Sequence, residues 1–396
     1  MRIPLQADKV GFIQWPISLL LIVNASVSLT VFPVLQNVSY AVWGLCCVAF
    51  LVMLGLFVRN PKITIFEMYM NLYLLLLITF SVVCGNDIKT ACYKSIEMWT
   101  LLFMFNFFKR DLSTLMKASA IVLSLCVYAN LVWMAAYPNW MLVPKGQYED
   151  FMLGGNYNQM GARLILASVV SMVCVGYGKK WLANFILTLI ASVFTLLWVG
   201  SMTSSACMIL FTVLCLIPGA KLKKVALAGF FTFYVLFQVF VCFSGEGLHN
   251  NELAVYLIRD VMHKDMTFTH RTHMWDSAAH AFSQSPIWGY GCVDTEWYLS
   301  HMSSFAVGPH NFIYSVLLNG GVILFSIFLA ILLLAMRETY RYNDNIGVLL
   351  LLGITTILFM MTMEVFPFFF LFFMLLISYY YPDIRETFPH RHARQG

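Results

Sequence analysis

Two side chains stand out for the chemistry they could perform. Arg271 is followed four residues later by Trp275, a spacing that puts both on one face of a helix. His310 and Asn311 follow Gly308-Pro309 and lead directly into a long apolar run. Arginine holds phosphates and carboxylates through a fixed fork of donors. Histidine accepts and releases protons near neutral pH. A helix N-terminus beside such groups adds free N–H groups and partial positive charge, which favour an anion. Plainer readings stand beside this one. Arg271 also reads as a loop arginine pairing with Asp276 or Asp265, and His310 as a helix cap at an interface. Trp275, Trp288 and Trp297 read as interface anchors. His270, His273 and His280 share a helical spacing, but no carboxylate–histidine signature such as H-E-x-x-H accompanies them, so no metal is expected.

The elements that must position these residues lie in a membrane. Of the 396 residues, 60% are hydrophobic and only 11% charged, whereas a soluble domain carries roughly 25% charged residues. The net charge of +5 is a matter of topology rather than of nucleic-acid binding. The ten cysteines sit mostly in apolar runs and form no C-x-x-C pair, as suits cysteine used as a small hydrophobe. Cys84, Cys92 and Cys292 fall in or near expected outer segments, which leaves a bridge among them open. The first apolar run, from Ile17 to Leu35, lacks a short core ending in a cleavage site and is expected to be a retained first helix.

Apolar runs of membrane-crossing length predict an all-α integral membrane protein with about 12 transmembrane helices. The segments are 17–35, 40–58, 64–84, 90–108, 114–136, 159–178, 181–200, 204–219, 225–243, 312–336, 346–363 and 366–381. Basic residues alternate across them. Arg59 and Lys62, Lys109 and Arg110, Lys179 and Lys180, Lys221 to Lys224, Arg337 and Arg341, and Arg385 all fall on one expected side, the cytoplasmic one, with both termini. The chain reads as a single polytopic domain over 1–396, with one large extracytoplasmic loop, 244–309, between helices nine and ten. Within that loop, 252–262 predicts a short interfacial helix. A second helix runs from Thr269 to about Phe282 and is stopped by Pro286. Glu67 and Glu97 are expected to snorkel from span ends, and Glu364 to lie at the outer surface.

Arg271-x-x-x-Trp275, Ser285-Pro286-Ile-x-Gly289-x-Gly291 and His310-Asn311, followed by a helix bearing Gly320-Gly321, together resemble the O-antigen ligase and polymerase family of bacterial envelopes. Gly154-Gly-Asn-Tyr-Asn158 resembles a further family segment, and the layout of twelve spans with a late outer loop is similar. Thr203-Ser-Ser205 departs from the family, which usually shows Ser-Arg at that place. Arg163, near the same end of span six, is the candidate substitute for the missing arginine.

The resemblance implies glycosyl transfer from an undecaprenyl-pyrophosphate-linked glycan at the outer face of the bacterial cytoplasmic membrane. Arg271 is then the expected pyrophosphate ligand, with Arg163 and Arg259 as further cations. His310 is the expected general base, and Asn311, Asn158 and Trp275 are expected to contact substrate. No cofactor or metal is implied, because arginines supply the positive charge, and the anomeric centre is expected to invert. Implied partners are the lipid-linked oligosaccharide, the bilayer, a flippase and a chain-length regulator. A polymerase of repeat units is the leading reading. A ligase moving the finished glycan to lipid A core or protein is the alternative, and a 12-helix secondary transporter is a reading of another class. The charge pattern predicts that a reporter active only in the cytoplasm works when fused after Lys224 and is silent after Met302; the opposite result would invert the topology.

Overall fold

A computed structural model describes residues 63–136, 159–245, 271–303, 307–342 and 344–389, with isolated positions between 41 and 58 and at 247 and 256. The expected first span and most of the second, the loop helix over 252–262, Asn158 and Arg259 lie outside the described residues. The described residues form helices without strands. In chain order these are α1 (Ile65–Cys84), α2 (Ile88–Phe107), α3 (Leu112–Ala136), α4 (Met160–Cys174), α5 (Lys179–Val199), α6 (Met202–Leu216) and α7 (Ala220–Phe237). There follow α8 (Arg271–Gln284), α9 (Thr295–His301), α10 (Phe312–Tyr340), α11 (Asn345–Met360), α12 (Phe368–Tyr379) and α13 (Tyr381–Glu386). Each of the ten spans expected after residue 63 is found as a helix. Six of them are long and apolar enough to cross a membrane; α6, α11 and α12 are apolar but shorter. The chain is thus a multi-pass membrane protein.

Short connections make neighbouring helices antiparallel, so the bundle has two ends. The basic residues gather at one of them, where Lys224 Nζ reaches Tyr340 O at 3.3 Å and Lys117 lies over the Tyr177 ring. Arg271 and His310 belong to the other, called here the site end. Two of the short helices, α11 and α12, are enclosed. Every side chain from Phe369 to Ser378 in α12 is buried, as is nearly all of α11. At about 1.5 Å per residue such helices cannot span the roughly 30 Å of hydrocarbon alone. Their ends continue as turns packed inside protein, where irregular backbone is tolerated.

Charges inside the bundle are partnered. Glu67 does not snorkel. It is fully buried and accepts hydrogen bonds from Thr64 N (2.7 Å), Asn106 Nδ2 (2.6 Å) and Tyr380 OH (2.5 Å). Three donors offset the desolvation that would otherwise drive it to the surface. They also tie α1 to α2 and to the end of α12. Glu97 is likewise directed inward, hydrogen-bonded to Tyr93 and facing the charge of Arg163. Further polar side chains join helices: Ser124 Oγ contacts Ser171 Oγ at 3.0 Å and Thr188 Oγ1 at 2.8 Å, linking α3, α4 and α5.

The main departure from a simple bundle lies in α10. Gly320 and Gly321 leave helical geometry, with φ of −160° and 59°, and break the helix. The Pro286–Gly291 turn fills the break. Pro286 O accepts from Val322 N at 2.9 Å, while Tyr290 N and Gly291 N donate to Leu318 O (2.7 Å) and Asn319 O (2.9 Å). Gly289, at φ 63°, approaches so closely that a Cβ there would stand 2.4 Å from Leu318 O. The turn is held on its other side by α1: Cys292 N donates to Ser81 Oγ (2.8 Å) and Asn86 Nδ2 to Tyr290 O (2.7 Å). Asp87 N donates to Cys292 O at 2.8 Å, and hydrogen bonding to Thr90 holds the Asp87 carboxyl below the usual carboxylate range, aided by Lys94 and Lys89 against desolvation. Cys84, Cys92 and Cys292 are free thiols, and burial pushes the Cys292 thiol up. Substituting Gly289 by Ala should cost at least about 1–3 kcal/mol through the left-handed backbone alone, with the clash added. Gly229→Ala, where nothing lies within 4 Å, should be neutral. Melting temperatures of the two purified variants check this.

Candidate active site

The site is assembled by the three connections that meet at the site end of α10. Asn311 is its N-cap, accepting from Tyr314 N at 3.2 Å in extended geometry (φ −151°). The helix therefore begins at Phe312, and Pro309, expected in its first turn, precedes it. Asn311 is fully buried, and its Nδ2 donates to Gln238 Oε1 (3.1 Å) and to Thr362 O (3.2 Å), while Gln238 Nε2 donates back at 3.3 Å. Gln238 opens the π-helical turn Gln238–Cys242 that ends α7. Phe312 N donates to Met361 O at 2.9 Å. The starts and ends of α7, α10 and α11 are thus tied at one point, and Asn311 is the clamp.

This clamp holds its neighbour in an unusual state. His310 has φ 45°, the sole described non-glycine residue in the left-handed region. Such a conformation costs about 1–3 kcal/mol and persists where the surroundings over-determine it, commonly at functional sites. Here Asn311 on one side and buried Pro309 on the other impose it. It aims the imidazole at the α11–α12 connection, where the Thr362 and Met361 bonds have already placed Glu364.

Glu364 lies between the two expected residues. His310 Nδ1 is 3.1 Å from its Oε1, and Arg271 Nη2 is 3.6 Å from its Oε2. The side chains of Arg271, His310 and Glu364 are 20%, 22% and 14% exposed, enough to meet a ligand and too little for free solvation. The imidazole stands at contact distance but off the line of a hydrogen bond, so Nδ1 has no bond of good geometry. The 3.1 Å separation carries more weight than this misalignment, since small ring rotations separate the two and catalytic bonds are often loosely aligned before substrate binds. Sequence reasoning placed Glu364 at the surface and missed its role. The available signal was its position as the one acidic residue between the last two spans.

Arg271 reaches the carboxylate because α8 is anchored. Met274, Trp275, Ala278 and Ala281 form one buried face packed on α10, and the Pro286 turn pins the other end. Trp275 is fully buried, so it is an anchor of α8 and not a sugar platform. Arg271 pairs with Glu364; Asp265, one of the partners that sequence suggested, lies outside the described residues. Arg163 is at the same end but in a separate setting. Its guanidinium lies 4.9 Å over the Phe370 ring, its Nη1 donates to Gln159 O at 3.4 Å, and it faces Glu97. Two residues earlier, Gly161 packs so tightly on Ser204 that a Cβ would meet its Oγ at 2.4 Å. Gly161 brings α4 against α6 at Ser204, where the resembled family carries its arginine nearby, while the contacts of Arg163 itself are with Phe370, Gln159 and Glu97. Among the described residues no group of three or more His, Cys, Asp or Glu converges as metal ligands do.

Removing the Asn311 side chain should cost about 0.5–2 kcal/mol as a cap, and more because Gln238 loses its partner. The Asn311→Ala/Gln238→Ala double variant should cost less than the sum of the two singles, as thermal melting of all three would show.

Comparison with known proteins bears on this arrangement. No curated protein matches the chain. Residues 186–329 match the family model described as O-Antigen ligase. The match covers less than half of the chain but contains Arg271, the Pro286 turn, His310, Asn311 and the Gly320-Gly321 break. Over that stretch the chain is similar to the O-antigen ligase and polymerase family, as its motifs indicated.

Proposed function

We propose that this protein is a glycosyltransferase that polymerises lipid-linked repeat units of a bacterial surface polysaccharide, using an undecaprenyl-pyrophosphate-linked glycan as donor. The observation that carries this reading is the convergence of Arg271 and His310 on one partly exposed site, inside the segment similar to O-antigen ligases. An arginine with spare donors and a histidine beside it suit a reaction that releases a pyrophosphate and removes a proton.

In this reaction the acceptor hydroxyl oxygen attacks the anomeric carbon as the bond to the pyrophosphate oxygen breaks, inverting the centre. His310 takes the hydroxyl proton. Arg271 holds the departing pyrophosphate through paired N–H donors. Arg163 supplies a second cation, and Arg259 and Asn158 are further donor-side contacts. The arginines carry the charge work without a metal. The loop over 244–309 lies on the extracytoplasmic face of the cytoplasmic membrane, with both termini inside. A flippase delivers the donor, and a chain-length regulator limits the product. The description of the matching family favours a second reading, a ligase that transfers the finished glycan to lipid A core or protein; both reactions use the same donor chemistry.

A glycan ladder from cells lacking the protein separates these readings. Wild type should restore long chains, while Arg271→Ala and His310→Ala at matched membrane levels should leave single repeat units, since loss of a general base costs about 10²–10⁴-fold. Long lipid-linked chains that accumulate unattached in the null strain would identify a ligase. Unchanged chain length and attachment would remove glycosyl transfer and leave transport.

A further inference from the structure

We infer that Glu364 is a positioning residue, holding His310 with its proton on Nδ1 so that Nε2 is the atom that takes the acceptor proton. This rests on the transfer reaction proposed above. The carboxylate faces Nδ1 at 3.1 Å, and no other described side chain approaches that buried nitrogen. A carboxylate next to one ring nitrogen favours the tautomer with the proton there, and leaves the other nitrogen as the base. The same charge stabilises the imidazolium that forms when Nε2 has taken the proton.

The position of Glu364 is built, not incidental. Its connection is fastened two and three residues upstream by the Thr362 and Met361 carbonyl bonds to Asn311 and Phe312. The strained His310 backbone supplies the matching orientation. The second carboxylate oxygen lies 3.6 Å from Arg271 Nη2, one of the several N–H donors of a guanidinium that would hold the donor phosphates. Glu364 therefore sets the separation between base and phosphate ligand, and links proton removal at one end to leaving-group departure at the other. The charged and titratable groups around His310 among the described residues are Glu364 from the α11–α12 connection and Arg271 from α8, with Asp276 further along α8 and Tyr314 in the next turn of α10.

The test uses the full-length protein in lipid nanodiscs, with two readouts. The first is ¹⁵N NMR of histidine-labelled protein, the His310 signals being identified by their loss in His310→Asn. Neutral His310 should carry its proton on Nδ1, the nitrogen that faces the carboxylate. The second is transfer from a purified lipid-linked repeat unit. Glu364→Gln should lower kcat about 10²-fold with a much smaller change in donor KM. Glu364→Asp should recover part of the rate. A wild-type His310 whose neutral form is protonated on Nε2 would overturn the inference even if the variants fail to fold. So would a Glu364→Gln protein of normal melting temperature whose kcat is unchanged. The expected NMR behaviour without any glycan transfer would uphold the Glu364–His310 pair and overturn the reaction proposed for it.

Discussion

A helix broken within hydrocarbon leaves N–H and C=O groups that no water can reach, each costing several kcal/mol unless protein supplies partners. The break at Gly320-Gly321 in α10 meets this constraint with the backbone of Pro286, Tyr290 and Gly291. Much else follows from that docking. The turn can enter only because Gly289 and Gly291 lack side chains and adopt left-handed geometry. Once seated between α1 and α10, it fixes the C-terminal end of α8, whose buried Trp275 face fixes the rest. Arg271, at the head of α8, is thereby held against Glu364.

Polar groups in this bundle are used where they are mutually satisfied. Glu67 is compensated by three donors far from the site and joins α1, α2 and α12. Asn311 spends its amide on a cap and two interhelical bonds. Against that background the Arg271–Glu364–His310 cluster differs: it is partly exposed, loosely aligned and built on a left-handed histidine. Complete satisfaction marks groups that hold the fold. Incomplete satisfaction at a backbone held under strain marks groups with spare capacity for a ligand.

Much of the site was legible before any tertiary contact was known. Arg271 and His310 were singled out by residue type, by the proline and glycine punctuation around them and by resemblance, and both lie against Glu364. The full burial of Trp275 and Asn311 was not legible, because burial is set by which helix packs on that face. Glu364 escaped notice for the opposite reason. An isolated acid between two spans looks like a solvated turn until the bonds of Thr362 and Met361 draw that turn over the start of α10.

The sequence by itself determined the class of protein, the position of each long apolar helix among the described residues and two residues, Arg271 and His310, that the fold places against one carboxylate. It could do so because hydrophobic run length, charge alternation and helix-breaking residues act locally and obey the bilayer's own dimensions. Only the tertiary structure decided that Glu67 is buried, that the Pro286 turn seals the α10 break and that Glu364 bridges arginine and histidine. Those contacts join residues far apart in the chain, and they depend on distances and backbone geometry that no local pattern encodes.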